Sequence, residues 1–280
     1  MYYYPSIDDY KKKSLNLIIN KKTKPLISII TVSKNSEKTI KKTIQSIENQ
    51  SSKNFEYIVV DSSSTDKTIS IVNDHSNSVD KFISENDKNP TDAMNKGIAI
   101  AEGKLIFWLA SDDWIDKDLT TILEDNYNKN VNCSFFFGNM IMHYNEGQKT
   151  IFPKKNNINE LINGVPEFPY PAILFNKKVF FEHGAMCINY KVNNDFEFIL
   201  RILKKNTKSY YIEKFNVHRL PGGIGEQNKI LNLFETLKIN IHHKTVSISF
   251  CKFFFKSIFN FSIIFLKEKI LGIIKNCKKL

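Results

Sequence analysis

Three apolar runs, each breaking off at a polar cluster, set the pattern of the N-terminal half of the chain. Pro25-Leu-Ile-Ser-Ile-Ile-Thr31-Val-Ser33-Lys34-Asn35 predicts a strand running into a polar turn, and Ser36 then stands where an N-cap belongs, ahead of Ile40, Ile44 and Ile47 at helical spacing. Phe55-Glu-Tyr-Ile-Val-Val-Asp61 predicts a second strand that ends on an acid, followed by Ser62-Ser-Ser-Thr65-Asp66 as the cap of a second helix. The third run, Leu105-Ile-Phe-Trp-Leu-Ala-Ser-Asp112-Asp113-Trp114, reads as a buried strand that stops at two adjacent carboxylates. Strand alternating with helix implies a parallel α/β sheet. Ligands bind such sheets at the carboxyl ends of the strands, where Thr31, Asp61 and the Asp112-Asp113 pair would converge.

Two acids at the end of a core strand suggest a divalent cation. A buried carboxylate is costly unless something compensates its charge, and a hard cation such as Mg²⁺ or Mn²⁺ takes oxygen ligands while leaving room for a substrate phosphate. The plainer alternative is that one of the pair caps a helix beginning near Asp116. Gly-rich phosphate loops are absent: there are ten glycines, with no G-x-G-x-x-G after the first strand and no G-x-x-x-x-G-K-[ST]. The charge complementing a diphosphate must therefore come from a metal at Asp113, with Lys96 as a helper.

Five segments in this order, Ser33-Lys34-Asn35 after the early strand, Val60-Asp61-Ser-Ser-Ser-Thr65-Asp66-Lys-Thr68, Glu85-Asn-Asp87, Asp92-Ala-Met-Asn95-Lys96-Gly97 and Ser111-Asp112-Asp113, resemble glycosyltransferase family 2. The resemblance covers residues 25–225 and implies a GT-A fold, a Rossmann-like, mostly parallel sheet flanked by helices. It implies an inverting enzyme that uses Mn²⁺ or Mg²⁺ and a nucleoside diphosphate sugar as donor. Carried over residue by residue, it puts Thr31 and Asp61 on the nucleotide base, Asp92 near the nucleoside, Lys96 near the phosphates, Asp112 on the ribose or metal and Asp113 on the metal. Phe168-Pro-Tyr170-Pro through Gly184, followed by Asn193-Asn194-Asp195, is similar to the segment in which an acid opens a helix and acts as base. That acid is Asp195, with Glu197 the next candidate because Asn194-Asp195 stands where relatives often have Glu-Asp. Tyr170 in place of a common histidine, and Lys88-Asn-Pro90-Thr91 in place of a Gly-containing turn, bear on which sugar and acceptor are used.

Duller roles compete for several of these residues. Asp61 and Asp66 suit turns and caps, Lys96 suits a solvated surface, and Gly97 in a helix beginning near Thr91 suits a close backbone approach. Trp108 and Trp114 suit core or cleft wall, although Trp114 directly after the acids could stack on a sugar or base. His218, beside Arg219 and Gly222-Gly223, suits either a structural position or a loop closing over the donor.

The resemblance implies a glycosyltransferase domain over 25–225, which leaves an N-terminal extension (1–24) and a C-terminal helical segment (226–280). The start lacks the continuous apolar core of a signal peptide, so the four cysteines are expected reduced, and neither they nor the six histidines show metal-ligand spacing. From His242 to the end there are eight lysines against the single acid Glu268, a net of +7 out of the formal +11. Phe250, Phe253-Phe254-Phe255, Phe259, Phe261 and Ile263-Ile264-Phe265-Leu266 crowd between them. Lys252 and Lys256 make a membrane span from 246 to 266 costly, so a basic amphipathic helix on an anionic membrane is the better reading, against a helix packed on the domain.

Together these features predict a metal-dependent glycosyltransferase acting on a saccharide or lipid-linked acceptor in cell-surface polysaccharide synthesis. It would be cytoplasmic, with peripheral membrane contact through 246–280. The alternatives are a noncatalytic sugar-nucleotide-binding or scaffolding relative and a basic nucleic-acid-binding protein; an acidic cleft and a charge excess concentrated in an apolar tail argue against nucleic acid.

Overall fold

A computed structural model describes residues 4–11, 17–19, 25–144, 147–151, 157–205 and 207–260. Helix α1 (Ile7–Lys11) and strand β1 (Leu17–Ile19) precede an alternating half: β2 (Ile27–Ser33), α2 (Ile40–Glu48), β3 (Phe55–Asp61), α3 (Thr68–Asp74), β4 (Lys81–Ser84), α4 (Pro90–Ile100) and β5 (Leu105–Trp108). The second half adds β6 (Trp114–Ile115), α5 (Leu119–Lys129), β7 (Phe135–Tyr144), β8 (Gly147–Ile151), α6 (Asn157–Ile162), β9 (Ile173–Asn176), α7 (Lys178–His183), α8 (Asn194–Leu203), β10 (Ser209–Arg219), α9 (Ile224–Gln227) and α10 (Lys229–His243). Residues 248–260 are also helical.

The strands lie in the order β1-β4-β3-β2-β5-β9-β7-β10-β6, with β8 on β7. The expected parallel centre is β4-β3-β2-β5. Beyond it β9 runs antiparallel to both β5 and β7, and β10 returns parallel to β7. The chain lays β3 and β4 on one side of β2 and then β5 on the other. That reversal leaves a crevice beyond the carboxyl ends of β2 and β5.

The apolar runs are continuous rather than alternating because both faces of the central strands are covered. Ile29 and Tyr57 pack with Ile40 and Ile44 of α2, Val72 of α3 and Leu123 of α5, whereas Ile30 and Ile58 pack with Ile98 of α4, Phe180 of α7 and Phe198 of α8. Gly97 permits the second layer: a Cβ there would lie 2.6 Å from Ile30 Cγ2. Helix α4 opens with Pro90 and with the Asn89 side chain accepting from the Asp92 N–H at 3.0 Å. Asp66 lies one residue before Lys67, the N-cap of α3, and accepts from the N–H of the first helical residue, Thr68, at 2.9 Å.

Two helix starts differ from expectation. Helix α2 begins four residues beyond Ser36, whose carbonyl accepts from the Thr39 and Ile40 N–H groups, both at 3.0 Å. The Ser36 hydroxyl is instead paired with that of Ser111 at 2.8 Å. Helix α5 begins at Leu119 rather than near Asp116, whose carboxylate is drawn to His218 Nε2 at 2.8 Å and Asn216 Nδ2 at 3.1 Å.

The described parts of both flanking segments pack on the domain. Ile7 and Tyr10 are buried, the Tyr10 hydroxyl donates to Asp92 at 2.9 Å, and β1 extends the sheet antiparallel to β4. From α10, His243 Nε2 meets Glu197 at 3.0 Å. Among the described residues no helix is long and apolar enough to cross a membrane. The remainder of the basic tail, 261–280, lies outside the described residues.

Candidate active site

A cleft of about 1420 Å³ opens beyond the carboxyl ends of β2 and β5. Its walls bring together Ser33 at the end of β2 and Ser36 after it, Asp87 after β4, Asp112 and Asp113 after β5, Tyr170 just before β9, Asn193 and Asp195 at the start of α8, and Arg219 at the end of β10.

Asp113 is held by its main chain. Its N–H donates to the Ala110 carbonyl at 3.0 Å, and its carbonyl accepts from Thr43 Oγ1 of α2 at 2.7 Å. The side chain, 3% exposed, is left to the cleft, and Oδ1 has no hydrogen-bond partner among the described residues. Burial pushes this carboxyl up to about 7, with Arg219 opposing and Asp112 adding to the shift. Such a group invites a cation. Among the described residues no three acidic, histidine or cysteine side chains converge as a complete cage. The donor set is thus one or two carboxylates with the remaining positions open, which suits a hard cation completed by phosphate oxygens and water.

Asp195 lies in the first turn of α8, where its Oδ1 accepts from the Phe196 N–H at 2.7 Å. Burial pushes it, too, up to about 7; the N–H groups of Phe196 and of Asp195 itself and the Arg219 charge pull it down, and Glu235 adds to the rise. Glu235, on α10, is buried and accepts three consecutive backbone N–H groups, those of Lys191 (2.8 Å), Val192 (2.9 Å) and Asn193 (3.0 Å). Asn193 Nδ2 also donates to the Asn232 carbonyl at 2.7 Å and to Thr236 Oγ1 at 3.0 Å. The turn that delivers Asp195 is thus clamped by α10.

Arg219 is the cation between these acids, lowering the pKa of both. Its Nε is buried without a hydrogen-bond partner among the described residues, and Nη1 lies 4.0 Å from Met140 Sδ. Arg219 lines the cleft, which sets its positive charge toward an anion bound there. Gly223 leaves it room, since a Cβ there would run into Nη2.

Asp112, Asp113 and Asp195 meet in the cleft, whereas the other four expected site residues stand behind its walls. Thr31 is fully buried on the face of β2 that packs against α2 and does not line the cleft; Val32, the next residue, does. Asp61, equally buried, is saturated with donors: Ser33 Oγ (3.0 Å), the Ser64 hydroxyl (2.5 Å) and N–H (2.8 Å), and Ser84 Oγ (3.1 Å). It ties the ends of β2, β3 and β4 together. Asp92 accepts from Tyr10 and, at 3.1 Å, from the Lys88 N–H, which braces the turn entering α4. Lys96 pairs with Glu85 at 2.6 Å and Asp87 at 2.7 Å. Burial works against its charge, but these two carboxylates outweigh it and hold the ammonium above its usual range.

Glu197 is sealed between Arg201 Nη2 at 3.1 Å and His243, fully buried, and cannot meet an acceptor. Trp114 has Lys42 Nζ 3.0 Å from its ring centroid and stacks on His218 at 5.5 Å, so its ring is engaged already. His218, paired with Asp116 and at 2.9 Å with His143, belongs to β10 and not to a closing loop. Trp108 is a wall residue, edge-on to Phe175 and Phe180.

Comparison with known proteins places these features in context. The sequence pattern described as glycosyl transferase family 2 matches residues 28–192, more than half of the chain. Over 97 residues the chain is 41% identical to an uncharacterized glycosyltransferase of Haemophilus influenzae, covering 34% of this chain and 39% of that protein. It is 28% identical over 254 residues to the Escherichia coli UDP-Glc:α-D-GlcNAc-diphosphoundecaprenol β-1,3-glucosyltransferase WfaP, covering 82% of this chain and 92% of WfaP. Among solved structures, S. aureus TarS 1-349 in complex with UDP-GlcNAc superposes with a TM-score of 0.64 at 19% identity, covering 80% of this chain and 71% of that one. Asp195, Arg219 and Glu235 lie beyond the matched pattern.

Proposed function

The chain belongs to glycosyl transferase family 2, and from that premise we propose that it is a metal-dependent, inverting enzyme moving a sugar from a nucleoside diphosphate sugar to a saccharide or lipid-linked acceptor. The observation that carries this reading is the meeting of Asp113, Arg219 and Asp195 in one cleft. Asp195, its pKa raised by burial to about 7, takes the proton of the acceptor hydroxyl in its ionised form as that oxygen forms its bond to the anomeric carbon. On the opposite side the bond from that carbon to the diphosphate breaks. The Arg219 guanidinium, lacking a full set of partners, faces the negative charge that then grows on the leaving phosphate. Asp113, with Asp112 beside it, would hold Mn²⁺ or Mg²⁺, which when bound supplies further neutralisation of the diphosphate. Asp61, Asp92 and Lys96 support the walls on the donor side through the hydrogen bonds and ion pairs they already make.

The E. coli relative is named for a UDP-glucose donor and a diphosphoundecaprenol-linked acceptor, and the S. aureus neighbour was solved with UDP-GlcNAc. Both favour a uridine diphosphate sugar here and a role in surface polysaccharide assembly. A lipid-linked acceptor puts the reaction at the cytoplasmic face of a membrane.

The direct test is thermal stabilisation by a panel of nucleotide-sugars with Mn²⁺, followed by a transfer and hydrolysis assay with whichever donor binds. A ligand at 100 times its dissociation constant adds about 2.7 kcal/mol, easily seen as a shift in Tm. Binding without transfer or hydrolysis would mark a noncatalytic relative, and stabilisation by no donor would remove the proposal.

The Glu235 clamp gives a second expected result. Glu235→Gln keeps the shape but replaces one acceptor oxygen with a donor, so turnover falls by about tenfold, the worth of a hydrogen bond to a charged group, with donor KM little changed. It also removes a negative charge that raises Asp195, so the acidic limb of kcat/KM moves to lower pH. A pH profile identical to that of the parent enzyme would leave Glu235 with no influence on the base.

A further inference from the structure

The helical run over 248–260 is apolar on both sides, unlike an ordinary surface helix. Its inward side is Phe250, buried, with Phe253, Phe254 and Ser257 partly buried, and Phe253 reaches the wall of the cleft. Its outward side, at the spacing i, i+4, i+7, i+8, i+11, is Ile248, Lys252, Phe255, Lys256 and Phe259. Ile248 is 77%, Phe255 69% and Phe259 66% exposed. Solvent-facing helix positions normally hold polar residues, yet here three of five are large and apolar and the other two are lysines. Exposed Ile241 and Val246 extend the apolar set, Lys244 the basic one, and no acid occurs from His242 to Asn260.

We propose that this face docks on an anionic lipid bilayer, with Ile248, Phe255 and Phe259 entering the boundary between headgroups and acyl chains and Lys252 and Lys256 against the headgroups. Because Phe253 of the same helix lines the cleft, docking brings the cleft to the surface in which a lipid-linked acceptor is anchored. That last step rests on the proposed acceptor class, whereas bilayer binding does not.

Charge selects the occupant. A second copy of the chain, packed symmetrically, would set one lysine row against another. Residues 261–280, with five lysines and one acid, bring more positive charge rather than its complement. An anionic surface matches both the basic and the apolar positions.

The experiment is vesicle sedimentation of the full chain with phosphatidylcholine alone or enriched in phosphatidylglycerol. Binding is expected only to the anionic vesicles and to weaken with salt. Phe255→Ser with Phe259→Ser, and separately Lys252→Glu with Lys256→Glu, change exposed residues only. Each pair should weaken vesicle affinity by about tenfold or more while leaving donor-induced thermal shifts and transfer to a short soluble acceptor unchanged. Failure of the full chain to bind anionic vesicles, equal binding by both double variants, or a concentration-dependent dimer abolished by them would each overturn docking. Vesicle binding with no transfer to any acceptor would instead overturn the proposed function and leave docking standing. Binding without preference for a lipid-linked over a soluble acceptor would overturn the link between docking and the cleft.

Discussion

Asp195→Asn is expected to lower turnover by about 10² or more with donor affinity nearly unchanged, because the amide keeps the size of the side chain and its acceptor oxygen for the Phe196 N–H while removing the proton acceptor. The pH dependence identifies the role. A carboxyl pushed up to about 7 is the active, ionised base only above that value, so kcat/KM of the parent enzyme should rise with pH through about 7 and flatten, and the variant should lack that limb. Stability moves the other way. The folded pKa lies above the unfolded one, so the contribution of this group is greatest below the ordinary carboxyl range near 4 and is lost as pH rises through about 7. At pH 8 the asparagine variant should therefore melt no lower than the parent enzyme, and an inactive but equally stable protein separates loss of the base from loss of the fold. An unchanged rate would remove Asp195 from the chemistry. Glu197 could not replace it, being locked by Arg201 and His243 away from the cleft.

What the sequence made legible follows from which physical signals are local. The parallel centre could be read because strands covered on both faces need unbroken apolar runs, and the acid pair stood out because a buried carboxylate is costly unless its charge is compensated. The antiparallel strand β9 and the long β7–β10 pair carry no comparable punctuation, and their place depends on partners distant in the chain. Residue type alone also conceals facing. Thr31 shares the parity of Ile27 and Ile29, which pack under α2, so the polar side chain near the end of β2 is a core residue and the apolar Val32 lines the cleft. Asp61 follows the same parity from Tyr57 and Val59, and its four donors were scattered over Ser33, Ser64 and Ser84.

Arg219 and Glu235 escaped for a different reason. Arg219 closes a strand whose pattern shows no motif, and Glu235 acts on a turn more than 40 residues before it through backbone N–H groups, which leave no trace in residue identity. Lys96, expected near the phosphates, is consumed by Glu85 and Asp87, whereas Arg219 lines the cleft. Burial raises the pKa of both Asp113 and Asp195, and a cation bound at Asp113 would favour the ionised form of that acid.

Asp113→Asn tests that link most severely. The fold does not need the carboxylate: the turn is set by the Asp113 N–H and carbonyl, and Oδ1 makes no hydrogen bond within the described protein. The variant should therefore fold and melt normally. What it loses is the anionic oxygen through which a divalent cation would be held against the diphosphate. The stabilisation of the donor complex by Mn²⁺, seen as a rise in Tm for the parent enzyme, should vanish. Because neutralising a departing diphosphate is worth several kcal/mol and each 1.36 kcal/mol is a tenfold change in rate, transfer should fall by about 10³ or more. Residual donor binding through Arg219 should survive and be independent of metal, which separates the two sources of positive charge in one titration. If the parent enzyme keeps full activity in excess chelator, the metal has no part in the reaction, and Arg219 with the lysines that line the cleft must carry the charge of the leaving phosphate.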